Sequence, residues 1–425
     1  MRRVLRWLQR VFQAVALAGV ILLGGLLPAC AMVPPGDAAP PTTTAISGGP
    51  PTPREQALAH ARASQGRLLM LGSTLYSAVL LGGFLLLGGT RLLARYTAPL
   101  AWGWGVTAVV LGLGVTASLL MLPLDYYAGF VFPHAYGLSN QSPGQWFRDY
   151  GVGEAVNTAL GLPLTLGFYW LLRRAPRTWW LWTAGASVPL TIVLMLVGPL
   201  FIAPLFNTFT PLKDTALRDR ILAMAHAQGI PAHDVFEMDA SRQSRAANAY
   251  VIGFGPTHRI VLYDTLLENF TPDEVQYILA HEMGHYKLHH VAWGIVLSVL
   301  GTLVGGWALS AAGGALLRRW GGWLGVHTLG DPVAYPVLLA LGMALSLLAT
   351  PLGAAVSRTM EWQADRFAAR IDPDHAAGIS AFHKLARLNV AEENPPTWAV
   401  ELYGTHPSLA QRIAYLQGLE HTRAH

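Results

Sequence analysis

Seven apolar stretches recur along this chain, near residues 11–29, 68–89, 101–122, 154–172, 179–203, 291–315 and 333–353. Each is long enough to cross a hydrocarbon core of about 30 Å as a helix. Hydrophobic residues make up 52% of the chain and charged residues only 12%, a balance that excludes an ordinary soluble domain. The expected fold class is mainly α: a polytopic helical membrane protein of about seven transmembrane helices, carrying a small α+β domain where the apolar pattern lapses.

Arginines orient this bundle. Arg2, Arg3, Arg6 and Arg10 precede the first stretch; Arg91 and Arg95 follow the second, Arg173, Arg174 and Arg177 the fourth, and Arg318 and Arg319 the sixth. On an alternating path all of these clusters fall on one side, which the positive-inside rule makes cytoplasmic. Residues 204–290 and 354–425 then lie outside the cytoplasm. The Arg-rich, Lys-poor composition and the start of the chain point to the inner (plasma) membrane of a bacterium. The net charge of +5 comes mainly from these arginines, so it speaks of topology and phospholipid contact. No nucleic-acid motif is visible, so the bilayer is the expected surface partner and nucleic acid is not.

The domains expected are a signal-like segment or first transmembrane helix at 1–32, a Pro/Thr/Gly-rich linker at 33–66, an N-terminal transmembrane domain at 67–203, and a C-terminal domain at 204–425 that includes the spans 291–315 and 333–353. Small residues at Ala29-Cys30-Ala31 suit signal cleavage, and Leu27-Pro28-Ala29-Cys30 is a weak lipoprotein box; an uncleaved helix accounts for the segment as well. A lone cysteine rules out an intrachain disulfide framework. A monomer is expected.

Between residues 204 and 290 the pattern changes. Thr210 to Gly229 reads as a polar loop and an amphipathic helix. Three short β-like runs follow, Asp234 to Met238, Asn248 to Phe254 and Arg259 to Leu266, the last two joined by the turn Gly255-Pro256-Thr257-His258. Thr271-Pro272-Asp273-Glu274 then opens a helix, with Thr as cap, Pro at the first position and Glu closing a capping box. That helix runs into His281-Glu282-Met283-Gly284-His285. Two imidazoles four apart share one helix face and can grip one metal ion, and Glu282 can reach a water on that ion, the arrangement that zinc hydrolysis needs.

A catalytic zinc site usually has a third protein ligand. Glu361 is the best candidate, in Ser357-Arg358-Thr359-Met360-Glu361-Trp362-Gln363-Ala364-Asp365. Asp365, four residues on, shares its face and would orient a ligand or handle a proton. A solvated acidic helix face fits the same spacing. Asn248-Ala249-Tyr250 is the candidate sheet edge for an extended peptide substrate, or an ordinary packed strand. His406, in Thr405-His406-Pro407-Ser408, could donate to the oxyanion, or simply start a helix. Arg412 on that helix is expected just outside the ligands. His289 and His290 read as interfacial.

These residues resemble the type 1 CAAX prenyl proteases, integral-membrane zinc metallopeptidases. The likeness is carried by Leu124-Asp125-Tyr126-Tyr127 and His134 through Gln141, by Ile202 through Asn207 and Phe209 through Leu212, and by Asn248-Ala249-Tyr250 and Arg259 through Leu267. It extends through the 281–285 motif, Ser357-Arg358, Glu361, Gln363-Ala364-Asp365 and His406-Pro407. It implies about seven membrane helices around a water-filled chamber, with a gluzincin-like domain and one Zn2+ per chain. His281, His285 and Glu361 would be the ligands and Glu282 the general base. Asp365 would hold a ligand or donate a proton, and His406 would donate to the transition state. The implied activity is zinc-dependent endoproteolysis of a peptide or protein substrate, one that is membrane-associated or lipidated. The arginines place the site opposite to that of eukaryotic relatives, which leaves a prenylated tail open as substrate. An HtpX-like quality-control protease carries the same motif in a shorter chain. A zinc transporter, or a non-catalytic membrane protein, is the alternative from another class.

Overall fold

The computed structural model describes residues 46–252 and 259–423. The signal-like segment, the first apolar stretch, Cys30 and the turn at 255–258 lie outside the described residues. Six helices among the described residues are long and apolar enough to cross a membrane. They correspond to the other six stretches, and most run well past them.

The first is α1 (Pro53–Leu86). Its first turns, residues 53–66, correct the expected linker. Thr52 caps the helix by accepting the Glu55 N–H, and Glu55 accepts the Thr52 N–H at 2.7 Å. Pro53 and the alternating alanines 57, 59, 61 and 63 then favour helix. Tertiary contacts hold it: Arg67 pairs with Glu392 at 2.7 Å and Arg387 with Glu55 at 3.1 Å. A short α2 (Gly89–Thr97) leads to α3 (Trp102–Tyr126), which continues through a π turn at Tyr127–Val131 into α4 (Phe132–Ala135). Then come α5 (Pro143–Arg174) and α6 (Trp179–Val197).

The next segment builds the sheet: β1 (Phe209–Pro211), α7 (Thr215–Ala227), β2 (Val235–Met238), β3 (Ala249–Ile252) and β4 (Arg259–Tyr263). The strand order is β1-β2-β4-β3, with β2 and β4 parallel and the outer pairs antiparallel. Thr210 and Pro211, expected in a loop, instead form part of β1, an edge strand, where Pro is tolerated because no neighbour needs its missing N–H. The last expected strand stops at Tyr263, because the Asp264 carboxylate accepts the Thr265 and Ser241 N–H groups and turns the chain into α8 (Asp264–Asn269).

The remaining helices are α9 (Pro272–Lys287), α10 (His290–Leu324), α11 (Tyr335–Ile371), α12 (His375–Leu388), α13 (Thr397–Tyr403) and α14 (Leu409–Arg423). Alternation along β4 sends Ile260 and Leu262 to one face, where they meet Val235, Ile221, Leu266, Leu279 and Met283 with no exposed surface. Each such side chain contributes about 1.5–3 kcal/mol by leaving water. Val261 points to the other face, with Met238 and Ala240.

The membrane helices are built the opposite way. At most 17% of the most apolar window of any span is buried, and residues such as Leu348 and Leu352 face outward. Their backbone polar groups are paired within the helix, the condition for lying in lipid. At the end away from the sheet, Val106, Tyr169, Trp179, Leu324 and Val337 form a separate core. Arg91 stacks over Trp323 and Arg173 over Trp102 there.

Candidate metal centre and active site

α9 is anchored before it delivers the motif. Its capping box is present as expected: Thr271 accepts the Glu274 N–H, and the Glu274 carboxylate accepts the Thr271 N–H at 2.7 Å. That carboxylate is buried and also accepts from Lys384 Nζ at 2.7 Å, so the helix start is tied to α12.

Gly284 sets the approach of α11. A Cβ built on it would lie 3.0 Å from Ala364 Cα and 3.2 Å from Ala364 O. Only a residue without a side chain lets the two backbones come this close. Glu361 and Asp365, on either side of Ala364, are thereby carried to the histidine pair. His281 Nε2 stands 3.2 Å from His285 Nε2 and 3.2 Å from Glu361 Oε2, and His285 Nε2 stands 3.5 Å from Glu361 Oε1. All three potential ligand atoms lie within 4.8 Å of one another. Zinc bond lengths near 2.0–2.2 Å put the ligand atoms of a tetrahedral site about 3.3 Å apart. Glu361 Oε2 is buried without a hydrogen-bond partner. The donor set, its spacing and this orphaned oxygen fit a divalent metal.

The outer partners complete the arrangement. His281 Nδ1 donates to Asp365 Oδ1 at 2.8 Å. Arg412 clamps the same carboxylate through Nε to Oδ2 at 2.9 Å and Nη2 to Oδ1 at 2.6 Å, while its guanidinium stacks on Phe382. Burial would pull His281 down, but the nearby Asp365 and Glu361 carboxylates outweigh that and raise it to about 9. Burial, then the neighbouring His281, pull His285 down to about 4, which leaves its lone pair free for a metal. Burial raises Glu282 above the ordinary carboxylate range, as suits a base working near neutral pH.

His281, Glu282 and His406 line one cavity of about 670 Å³. His406 Nε2 reaches within 3.3 Å of Glu361 Oε2, and its ring is held by Thr405 through Nδ1 at 2.9 Å. Asn248 and Ala249 line this cavity at the start of β3, an edge strand. Tyr250 does not: alternation turns its side chain to the other sheet face, beside Met238 and Tyr263. Met70 and Phe132 bring apolar walls from the membrane helices.

The interfacial place expected for His290 is corrected: the structure buries it against His285, with Nδ1 atoms 3.0 Å apart. No helical spacing announces this, because the chain turns sharply between α9 and α10. The arrangement differs from a transport site, which sits between helices at mid-membrane depth: α9 is not a candidate span.

Comparison with known proteins agrees with this geometry. A family described as peptidase family M48 matches residues 211–420, and one described as the CAAX prenyl protease N-terminal region, five membrane helices, matches residues 57–208. The chain is 33% identical to the uncharacterized metalloprotease YhfN of Bacillus subtilis, covering 74% of this chain and 73% of that one. It is 30% identical to CAAX prenyl protease 1 of Saccharomyces cerevisiae, covering 71% and 69%. The fold matches the crystal structure of S. mikatae Ste24p with a TM-score of 0.75 at 23% identity, over 88% of this chain and 92% of that one. The chain therefore belongs to peptidase family M48, among the type 1 CAAX prenyl proteases, and is a membrane-embedded metalloendopeptidase.

Proposed function

We propose that the metal is zinc, one per chain, held by His281, His285 and Glu361, and that the enzyme cuts membrane-associated peptides that enter the cavity in extended form. The observation that carries this reading is the meeting of the three ligand atoms beside Glu282 in one cavity. A bound zinc ion supplies a Lewis acid that brings the pKa of water to about 7. Glu282 accepts the proton of the attacking water and returns it to the leaving amine. His406 donates to the carbonyl oxygen as negative charge develops there. Asp365, clamped by Arg412, keeps the His281 proton on Nδ1 and its Nε2 toward the metal. The peptide lies beside Asn248 and Ala249 as an added strand, with Tyr250 contributing backbone rather than side chain.

The apolar cavity walls from α1 and α4, and the names of the relatives, support a lipidated or strongly apolar segment near the scissile bond. The orientation follows from charge. Arg91, Arg95, Arg173, Arg174, Arg177, Arg318 and Arg319 lie at the end of the bundle opposite the cavity, accompanied by Asp331 as the acidic residue of its connections. On the positive-inside rule that end is cytoplasmic and the cavity opens outside, in a bacterial inner membrane, with the protein monomeric in the bilayer.

The test uses purified full-length protein in detergent and an apolar model peptide. Wild type should contain about one zinc per chain and cleave, and Glu282→Gln should keep the zinc and lose cleavage. Zinc-loaded Glu282→Gln that cuts as fast as wild type would sink the mechanism. For sidedness, protease added outside spheroplasts should reach residues 204–290; cutting only from inside would reverse the orientation.

A further inference from the structure

His290 takes no part in the metal grip, yet it is buried at 6% exposure at the first position of α10. The turn that puts it there is strained: His289 has φ +58°, in the left-handed region that residues other than glycine seldom occupy. The result is a chain of three side chains. His285 Nδ1 and His290 Nδ1 are 3.0 Å apart, and His290 Nε2 is 2.9 Å from Gln363 Oε1.

Counting protons gives this chain a direction. His285 turns Nε2 toward His281 and Glu361, so Nε2 is the nitrogen that must be bare to hold a metal. A neutral imidazole with a bare Nε2 carries its proton on Nδ1. The atom placed to accept that proton is His290 Nδ1, which must therefore be bare, with the His290 proton on Nε2. Gln363 Oε1 accepts that one. Every donor then meets an acceptor, and the tautomers of both histidines are fixed. Metal-binding histidines usually lean on a carboxylate or a carbonyl; His281 does so through Asp365, whereas His285 leans on an imidazole.

We propose that His290, backed by Gln363, is the positioning residue for His285: it accepts the Nδ1 proton and so fixes the tautomer and ring angle in which Nε2 faces the metal. This inference rests on the metal reading above. It also gives a purpose to the strained turn at His289, which brings a residue of the next helix back onto the ligand.

The experiment measures zinc affinity by chelator competition, and the visible absorption of cobalt(II) in the same site, on the full chain in detergent. His290→Phe keeps the ring and removes the acceptor; zinc affinity should fall by about 10–100-fold, the usual cost of losing an outer partner. His290→Asn places a carbonyl oxygen near the lost Nδ1 and should recover much of that affinity, with a cobalt spectrum closer to wild type. Gln363→Leu should weaken binding less, and adding it to His290→Phe should cost little more, because the two act through one chain. The melting temperature of the metal-free variants separates misfolding from lost positioning. A folded His290→Phe that binds zinc within twofold of wild type overturns the proposal, as does an Asn variant no better than Phe. Wild type that binds no zinc or cobalt overturns the metal reading itself, and this inference with it.

Discussion

Leu348 and Glu361 lie on the same helix, roughly 20 Å apart along its axis, yet Leu348 is 78% exposed and Glu361 only 7%. The middle of α11, beyond the buried Val337 and Leu338, offers Leu339, Leu347, Leu348 and Leu352 to the outside and packs little. The last part buries Glu361, Ala364, Asp365, Phe367, Ala368 and Ala369 against α9 and its neighbours. The middle stretch follows a rule of composition: any apolar side chain of suitable length suits lipid. The last part follows a rule of position, in which each residue meets a particular partner. A substitution should therefore be cheap in one half and costly in the other.

The largest effect should come from the grip itself. His285→Ala should abolish cleavage and lose zinc, and elemental analysis showing full occupancy would refute its ligand role. Glu282→Gln should keep the metal but lower kcat by about 10²–10⁴-fold, the range for removing a general base. Asp365→Asn leaves the His281 N–H with a weaker acceptor and Arg412 without its countercharge; zinc affinity should fall by about 10–100-fold, read by chelator competition. Gly284→Ala forces the added methyl against the Ala364 backbone and should cost about 1–3 kcal/mol, seen as a lowered melting temperature together with weaker zinc binding. Leu348→Ala, in the lipid-facing half, should leave both zinc content and kcat within twofold of wild type. A Leu348→Ala loss as large as that of Gly284→Ala would erase the contrast between the halves.

Much of this was legible beforehand, for identifiable reasons. The apolar stretches announce spans because bilayer thickness sets a minimum length for any crossing helix, and six of them are helices here. Thr271, Pro272 and Glu274 announce the start of α9 because capping is local chemistry. The first turns of α1 were hidden: a run near many prolines reads as a linker, and its helix is held by Glu392 and Arg387, residues at the other end of the chain. Pro211 in β1 was hidden because only the sheet order makes that strand an edge.

The sequence by itself determined that His281 and His285 share a helix face with Glu282 between them, since four residues nearly complete a helical turn whatever surrounds it. It also determined that the chain crosses a membrane, and which ends of its spans carry arginine. Only the tertiary structure decided that Glu361 meets the histidines, that Tyr250 turns away from the cavity, and that His290 folds back onto His285. Periodicity acts between neighbours along one helix. These contacts join separate elements, and they depend on how closely two backbones can approach, which at Gly284 and Ala364 is set by the absence of a single side chain.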